Sequence, residues 1–389
     1  MPHDALDVLV VGGGPGGLHA ARRLAEAGYG VALFEEHPEI GRPVHCTGIL
    51  APETFTEFGL RDAGLVNTLT HVRFHSPSGI EIEYSTPIEE VAVVERPLFD
   101  RSLAGQALDA GADLRCGVRI TDVAVEDDGV VVTTRDGDVV RGRVGILACG
   151  ANYALQRRLG LGFPRSYLQS AQAELPAGRP GDVELYFGTD VAPGGFGWVA
   201  PVLRDGSAVA RVGVMCARDA IGHFRAILDR VRDRWALGDV CGEPRQKILP
   251  LGPIDRTYAD RLVAIGDAAG LVKPTTGGGI YYSLVSAELA AQVIGRALAA
   301  GDLSAPVLAE YEHRWRERLA DEIEAQGRLR ALAEQMDDAQ IDALFDLART
   351  DGVMPIVRKT ARFNQHRSLI LALLKHPPVR RILYRTLMG

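Results

Sequence analysis

Apolar and polar positions change their period along this chain, and each change marks an element. Residues 7–11 (Asp-Val-Leu-Val-Val) form a β-branched apolar run that stops at Gly12, Gly13, Gly14, Pro15, Gly16 and Gly17. This predicts a buried parallel strand ending in a tight turn. Leu18, Ala21, Leu24 and Ala25 then recur at helical spacing until Gly28, and residues 31–35 return to strand character. Alternation in parts of 72–94 predicts short antiparallel strands. Leu103, Ala107 and Leu108 mark one face of a helix that follows Arg96-Pro97. Residues 130–134 and 139–140, separated by Asp136-Gly137, predict a hairpin, and 144–148 another buried strand. Four alternating segments between 169 and 215 predict a second sheet, followed by helical periodicity over 220–235. Residues 261–265 again run from strand into glycine turn, before a long helix over 280–300 and a helical remainder.

The reading is an α/β chain: a Rossmann-like dinucleotide-binding domain, discontinuous over 1–70, 95–160 and 255–300, with an inserted antiparallel β-sheet domain over 71–94 and 161–254. A helical C-terminal region covers 301–389. At 389 residues the chain exceeds what one hydrophobic core usually organises.

The spacing Gly12-x-Gly14-x-x-Gly17 has a mechanical reading: one glycine for the turn, one for close approach to a pyrophosphate, one for helix–strand packing. The helix that follows offers free N–H groups to the phosphates. Glu35, ending the second strand, stands where a carboxylate meets the ribose, with Glu36 the other candidate. Two glycine turns at strand-to-helix junctions suit a flavin dinucleotide better than a nicotinamide alone. In the second turn Asp267 can reach the ribityl chain, and the helix start at Ile280 can face the flavin N1/O2 edge, where positive potential stabilises a reduced ring. The turn-rich loop 37–50 carries Cys46, the one cysteine of five placed near the cofactor.

The five cysteines lack metal-like or paired spacing, so no metal site is expected and a reducing, cytoplasmic setting is. The net charge of −7 argues against nucleic acid as a partner. Its distribution says more: residues 352–389 hold eight Lys/Arg and no acid, leaving −15 on the rest. With Leu369, Ile370, Leu371, Leu373, Leu374, Val379, Ile382, Leu383, Tyr384 and Leu387, this tail reads either as a peripheral contact with the inner face of an anionic membrane or as a helical cap. As an anchor, it could be deleted after Gly352 without loss of cofactor.

With these residues in place, the chain resembles the geranylgeranyl reductase family of FAD-dependent oxidoreductases, related to p-hydroxybenzoate hydroxylase, from Asp7 to about residue 300. The resemblance rests on the N-terminal glycines, Cys46-Thr47-Gly48, Arg96-x-x-Phe99-Asp100, Gly266-Asp267-Ala268-Ala269-Gly270 and, most specifically, Pro193-Gly194-Gly195-Phe196-Gly197-Trp198-Val199-Ala200-Pro201. It implies that Gly16 and its neighbours hold the FAD pyrophosphate and Glu35 the ribose, while Cys46, Thr47 and Gly48 approach the flavin. Arg96 would contact the phosphate or ribityl region and the Ile120 backbone the adenine, with Asp267, Gly279 and Ile280 at the ribityl and flavin end. Pro193, Phe196, Trp198 and Pro201 would line an isoprenoid cavity.

The implied reaction is saturation of a C=C bond of an isoprenoid or related lipid, with hydride from reduced FAD and a proton from Cys46, or less favourably from Tyr281, Tyr282 or water. NAD(P)H or reduced ferredoxin would supply electrons, the latter as a redox partner protein. Phe196 replaces the family's motif tyrosine, Ala200 its phenylalanine, and Cys149-Gly150 stands where related flavoenzymes have Asp-Gly. These departures keep an alternative open, a flavin monooxygenase acting on an aromatic or polyketide. A quinone-linked electron carrier and a non-catalytic FAD-binding protein are further readings; no cysteine cluster would serve an iron–sulfur module.

Overall fold

The computed structural model describes residues 6–85, 91–179, 181–204, 206–240, 243–350 and 352–388, with side chains through 383. Pro87, Cys241 and the side chains of Tyr384, Arg385 and Leu387 lie outside the described residues.

Leu6–Val11 is the middle of the first sheet, whose order is Tyr258–Ala259, Leu262–Ala264, Val139–Leu147, Leu6–Val11, Val31–Glu35, Asp113–Cys116. All pairs are parallel except the first. Parallel strands must be covered on both faces, which explains why the runs at 8–11 and 31–34 are apolar at every position. Helices Pro15–Glu26, Arg96–Asp109 and Ile280–Ala300 supply side chains to this core. The strand Val139–Leu147 does two jobs: its start pairs antiparallel with Val130–Thr134, and its end runs parallel beside Leu6–Val11. Val130–Thr134 in turn pairs with Ile120–Val125.

The second sheet has seven strands in the order Arg245–Pro250, Tyr167–Pro176, Ser207–Cys216, Phe196–Arg204, Val183–Tyr186, His71–His75, Glu81–Ser85. Neighbours are antiparallel except Val183–Tyr186 with His71–His75. Helix Ala220–Trp235 packs its Phe224, Ile227, Val231 and Trp235 on one face of this sheet and closes a second core. The opposite face turns toward the first sheet and carries the site described below.

Two expected boundaries fall differently. Val91–Val94 pairs with Ile49–Leu50 and Leu65–Leu69 in a small sheet of its own, so residues 91–94 do not join the second sheet. The start of helix Ala305–Ala333 buries Leu308, Tyr311, Trp315 and Leu319 in the first core, so residue 301 does not begin a separate body. Farther on, Met336, Val353, Val379 and Leu383 form a satellite cluster among the last helices.

Among the described residues one helix, Ile280–Ala300, is long and apolar enough to cross a membrane, and 56% of its apolar window is buried. It lies against Pro15–Glu26, joined by Tyr29 Oη donating to the Gly295 carbonyl at 2.7 Å and by Glu288 meeting His19 and Arg23.

Candidate active site

The first glycine turn separates what the fold requires from what a ligand requires. A Cβ on Gly12 would collide with the Ala148 carbonyl, one on Gly17 with the Gly12 carbonyl, and one on Gly16 with Ser283 Oγ. A Cβ on Gly14 would meet nothing within 4 Å. A Cβ on Gly13 would crowd Ile40 Cδ1 at 2.8 Å, so of the five glycines Gly14 alone faces open space, at the start of a helix with no side-chain cap and no acid in its first turn. An anion such as a pyrophosphate fits that cradle. Glu35 stands beside it, its Oε2 accepting from Gly13 N–H at 2.8 Å and its Oε1 from His37 N–H at 2.9 Å. Glu36 points elsewhere and pairs with Arg119 at 3.5 Å. Past the strand end lies a cleft of about 530 Å³ bounded by Glu36, His37, Val118, Arg119 and Thr134, and Ile120 is the strand partner of Thr134 at its edge. These residues fit an adenosine.

The second turn forms the other end. Asp267 lies in a short 3-10 turn, Gly266–Ala269, fixed by Tyr153 Oη donating to the Asp267 carbonyl at 2.6 Å and Gln156 Nε2 to the Ala268 carbonyl at 3.0 Å. A Cβ on Gly279 would collide with Asp267 Oδ1, so the carboxylate and the start of helix Ile280–Ala300 share one small space. That helix also starts uncapped, without an acid in its first turn. Lys247 Nζ crosses from the second sheet to Asp267 Oδ2 at 2.9 Å, and Asp267 raises the lysine pKa. Cys149 sits near this end with its thiol pushed up to about 11 by burial, which makes it a packing residue.

The Cys46 loop lies between the sheets. Its Sγ accepts from Gly48 N–H at 3.4 Å and stands within hydrogen-bonding reach of Arg96. Burial works against the Arg96 charge, but Asp100 and Cys46 outweigh it and raise the pKa; Arg96 Nη2 meets Asp100 Oδ2 at 2.7 Å. Nearby, burial and the cations Lys247 and Arg245 depress His45. The loop is therefore walled by positive charge, which suits a phosphate-bearing cofactor and an anionic reduced ring.

Across the loop, Arg211 is fully buried. Its Nη1 donates to the Thr47 carbonyl at 2.6 Å and the Val94 carbonyl at 2.8 Å, its Nε to Glu174 Oε1 at 2.6 Å, and its Nη2 to Glu95 Oε2 at 3.3 Å. Removing one partner from such a buried charged set costs about 3–5 kcal/mol. Thr47 Oγ1 adds a bond to Gln172 Oε1 at 2.8 Å.

Strand alternation sorts the aromatic motif. Phe196 and Trp198 share the cofactor-side face, their rings 6.0 Å apart, and Phe187 extends the row to Phe74 and to Phe345 of helix Asp338–Thr350. None of these rings is fully buried, and Trp198 Nε1 has no hydrogen-bond partner among the described residues. A half-covered aromatic row between two layers is the wall of an apolar channel. Pro201 has the parity of Val199, which packs under helix Ala220–Trp235, so it lies on the opposite face from Phe196 and Trp198. Pro193 sits in the turn before the strand, its carbonyl accepting from Ala217 N–H at 2.9 Å.

Tyr281 and Tyr282 are committed elsewhere. Tyr281 Oη donates to Glu57 at 2.9 Å and is pushed up to about 12 by burial and that carboxylate, while buried Tyr282 accepts from Gln326 at 3.2 Å. Of the three, Cys46 is the half-buried thiol of the loop, its Sγ accepting from Gly48 N–H.

Sequence reasoning missed the residues that fasten these walls together. Arg330 donates to the Gly194 carbonyl of the motif turn and to the Pro274 carbonyl of the second glycine loop. Lys273 donates to the Phe363 carbonyl and to Asn364 Oδ1, both at 2.8 Å, and Thr275 Oγ1 lies 2.8 Å from His366 Nδ1. Burial lowers Lys273 to about 7; burial and Lys273 together lower His366 to about 4. Each is a single charge with a distant partner, which leaves no periodic signal. Helix Asp338–Thr350 is tied at its start, Asp338 accepting from Thr189 N–H at 2.8 Å and Asp342 from Ser76 Oγ at 2.5 Å.

Comparison with known proteins agrees with this geometry. Residues 5–144 match the FAD-binding-domain family, and residues 225–349 match lycopene cyclase protein. The digeranylgeranylglycerophospholipid reductase of Methanocaldococcus jannaschii is 33% identical over 88% of this chain and 90% of its own length. That of Methanothermobacter thermautotrophicus is 33% identical over 87% and 90%. The crystal structure of a geranylgeranyl bacteriochlorophyll reductase-like protein from Thermoplasma acidophilum superposes with a TM-score of 0.84 at 26% identity, covering 98% of this chain and 99% of that one. A flavin-dependent brominase, TM-score 0.72 at 17% identity, covering 99% of this chain and 98% of its own, shares the fold alone. Two glycine cradles shaped for one dinucleotide, the Cys46 loop between them and these relatives lead to one assignment: the chain belongs to the geranylgeranyl reductase family of FAD-dependent oxidoreductases.

Proposed function

We propose that this protein saturates C=C bonds in the isoprenoid chains of a geranylgeranyl-type lipid. The observation that carries the reading is the aromatic row Phe74, Phe187, Phe196 and Trp198, a long apolar wall leading to the Cys46 loop and the second glycine turn. FAD, when bound, supplies the hydride for one alkene carbon.

The chain's own residues do the rest. Gly14, Glu35 and the two uncapped helix starts hold the cofactor, and Asp267 and Lys247 fix its ribityl end. An isolated alkene accepts hydride poorly, so orientation and exclusion of water carry much of the catalysis. The aromatic wall supplies both. Cys46 is the proton donor at Sγ, with Arg96 and Lys247 at hand to accommodate the thiolate left behind. Phe196 and Ala200 give this wall less polarity and more width than a tyrosine and phenylalanine would. A prenyl chain gains affinity from burial alone, at about 25 cal/mol per Å².

The C-terminal tail supports peripheral contact with an anionic lipid surface. Its apolar side chains Val353, Val379 and Leu383 are turned into the satellite cluster, while Arg358, Lys359, Arg362, Lys375, Arg380 and Arg381 are exposed beside the exposed Leu371. Attraction is therefore electrostatic, and vesicle binding is expected to weaken steeply with salt.

The test is anaerobic: the holoprotein is reduced with dithionite, a geranylgeranyl lipid is added, and flavin absorbance and product mass are followed. Reoxidation with a gain of about two hydrogens per turnover is expected. Reduced flavin that ignores the lipid and reacts only with oxygen would overturn the reading.

A further inference from the structure

We infer that Arg211 is a positioning residue for this reaction, holding the Cys46 loop at a fixed distance from the aromatic wall and the second glycine turn; the inference rests on the reductase reading above. Strand Ser207–Cys216 runs through the middle of the second sheet, and three of its residues with the same parity each meet a different part of the site. Arg211 grips the Thr47 carbonyl. Gly213 lies under the Trp198 indole, which a Cβ there would strike. Met215 Sδ would lie 3.5 Å from a Cβ on Gly277. Alternate residues of a strand are separated by a constant step of about 6.6–6.8 Å. Proton donor loop, substrate wall and flavin turn are thus set against one ruler.

Arg211 touches no reacting atom. Its planar fork reaches two carbonyls on separate segments and two carboxylates, Glu174 and Glu95, which a lysine ammonium cannot do in the same directions. Arg204 braces the same carboxylates from the strand before, at 2.7 Å to Glu95 and 3.1 Å to Glu174, so the fork itself is held still. From the loop side, a Cβ on Gly48 would collide with the Val94 carbonyl and stand 2.9 Å from Arg211 Nη1, so the loop has no room to settle elsewhere.

The experiment reads the loop directly. The holoprotein is treated with iodoacetamide and each cysteine is followed by peptide mass spectrometry, with exposed Cys116 as the internal reference. Arg211→Lys is expected to raise Cys46 alkylation relative to Cys116 at least about fivefold while FAD stays bound, because the loop opens locally. In turnover with the geranylgeranyl lipid it is expected to lower kcat with KM little changed. Gly48→Ala displaces the same loop without removing a charge and is expected to move the same ratio. A ratio within about twofold of wild type in both variants overturns the inference. If Arg211→Lys loses FAD, the Gly48→Ala ratio decides by itself. Alkylation needs no lipid, so a failed reductase reading leaves the loop measurement standing.

Discussion

The two glycine turns look alike in sequence and are held by opposite means. At Gly12–Gly17 most of the constraint is near at hand: a Cβ on Gly12 or Gly17 would strike the Ala148 or Gly12 carbonyl, one on Gly13 would crowd Ile40 and Glu35, and Gly16 answers to Ser283 of the distant helix. At the second turn, over residues 266–279, the constraint is delivered from outside: Lys247 on the second sheet meets Asp267, Arg330 on helix Ala305–Ala333 meets the Pro274 carbonyl, and Asn364 and His366 of the tail meet Lys273 and Thr275. The first turn is a local structure that a ligand joins. The second is assembled by distant parts of the chain, which makes the flavin end responsive to them.

The sharpest break is in the first turn. Gly17→Ala drives a Cβ into the Gly12 carbonyl and is expected to cost more than about 4 kcal/mol, leaving little folded protein. Gly14→Ala, into open space, is expected to leave the thermal midpoint of the apoprotein unchanged and raise the FAD Kd tenfold or more, about 1.4 kcal/mol. Titration of both apoproteins with FAD, monitored by flavin fluorescence, separates the outcomes; equal loss of folding in both would end the distinction.

Next comes the tail. Deletion after Gly352 removes Asn364 and His366 from the second turn, so it is expected to release FAD as well as weaken vesicle binding, contrary to what the sequence suggests for a simple anchor. Asn364→Ala, which removes one bond to a buried ammonium, is expected to cost about 1–3 kcal/mol in thermal unfolding and to act in the same direction on FAD retention.

The last comparison is in pH dependence. Lys273 is lowered to about 7 in the fold, against about 10.5 in the open chain. Below pH 7 both states carry the proton and the full cost of burying the charge is present. Between pH 7 and 10.5 only the unfolded chain binds it, so stability rises with pH, by at most about 1.4 kcal/mol per unit. Lys273→Met is expected to flatten the rise measured between pH 7 and 9; an unchanged slope would mean that this lysine is not the titrating group.

What could be read in advance follows the same division. The strand run at 7–11, the glycine spacing and Glu35 are local signals with a fixed period; the structure has the strand and the turn there, with Glu35 at the end of the neighbouring strand accepting from Gly13 N–H. The hairpin about Asp136-Gly137 and the helix over 220–235 were legible for the same reason. Pro201 was not, because a motif names residues without saying which face of the strand each takes. Arg211, Lys247 and the ties of Arg330 to the two loops were invisible, since a lone cation in a strand or helix has no period and these partners lie 20 to 164 residues away.

Helix Asp338–Thr350 covers the outer end of the aromatic row, yet none of its residues is fully buried, and Asp338 and Asp342 near its start tie it to Thr189 and Ser76. A cover packed on the satellite cluster, outside the two main cores, is open to evolutionary retuning. Exchanges at Phe345, which meets Phe187 at the end of the row, can lengthen or narrow the space offered to a prenyl chain with little change to either main core, so related lineages can diverge in the lipids they accept by editing this one segment.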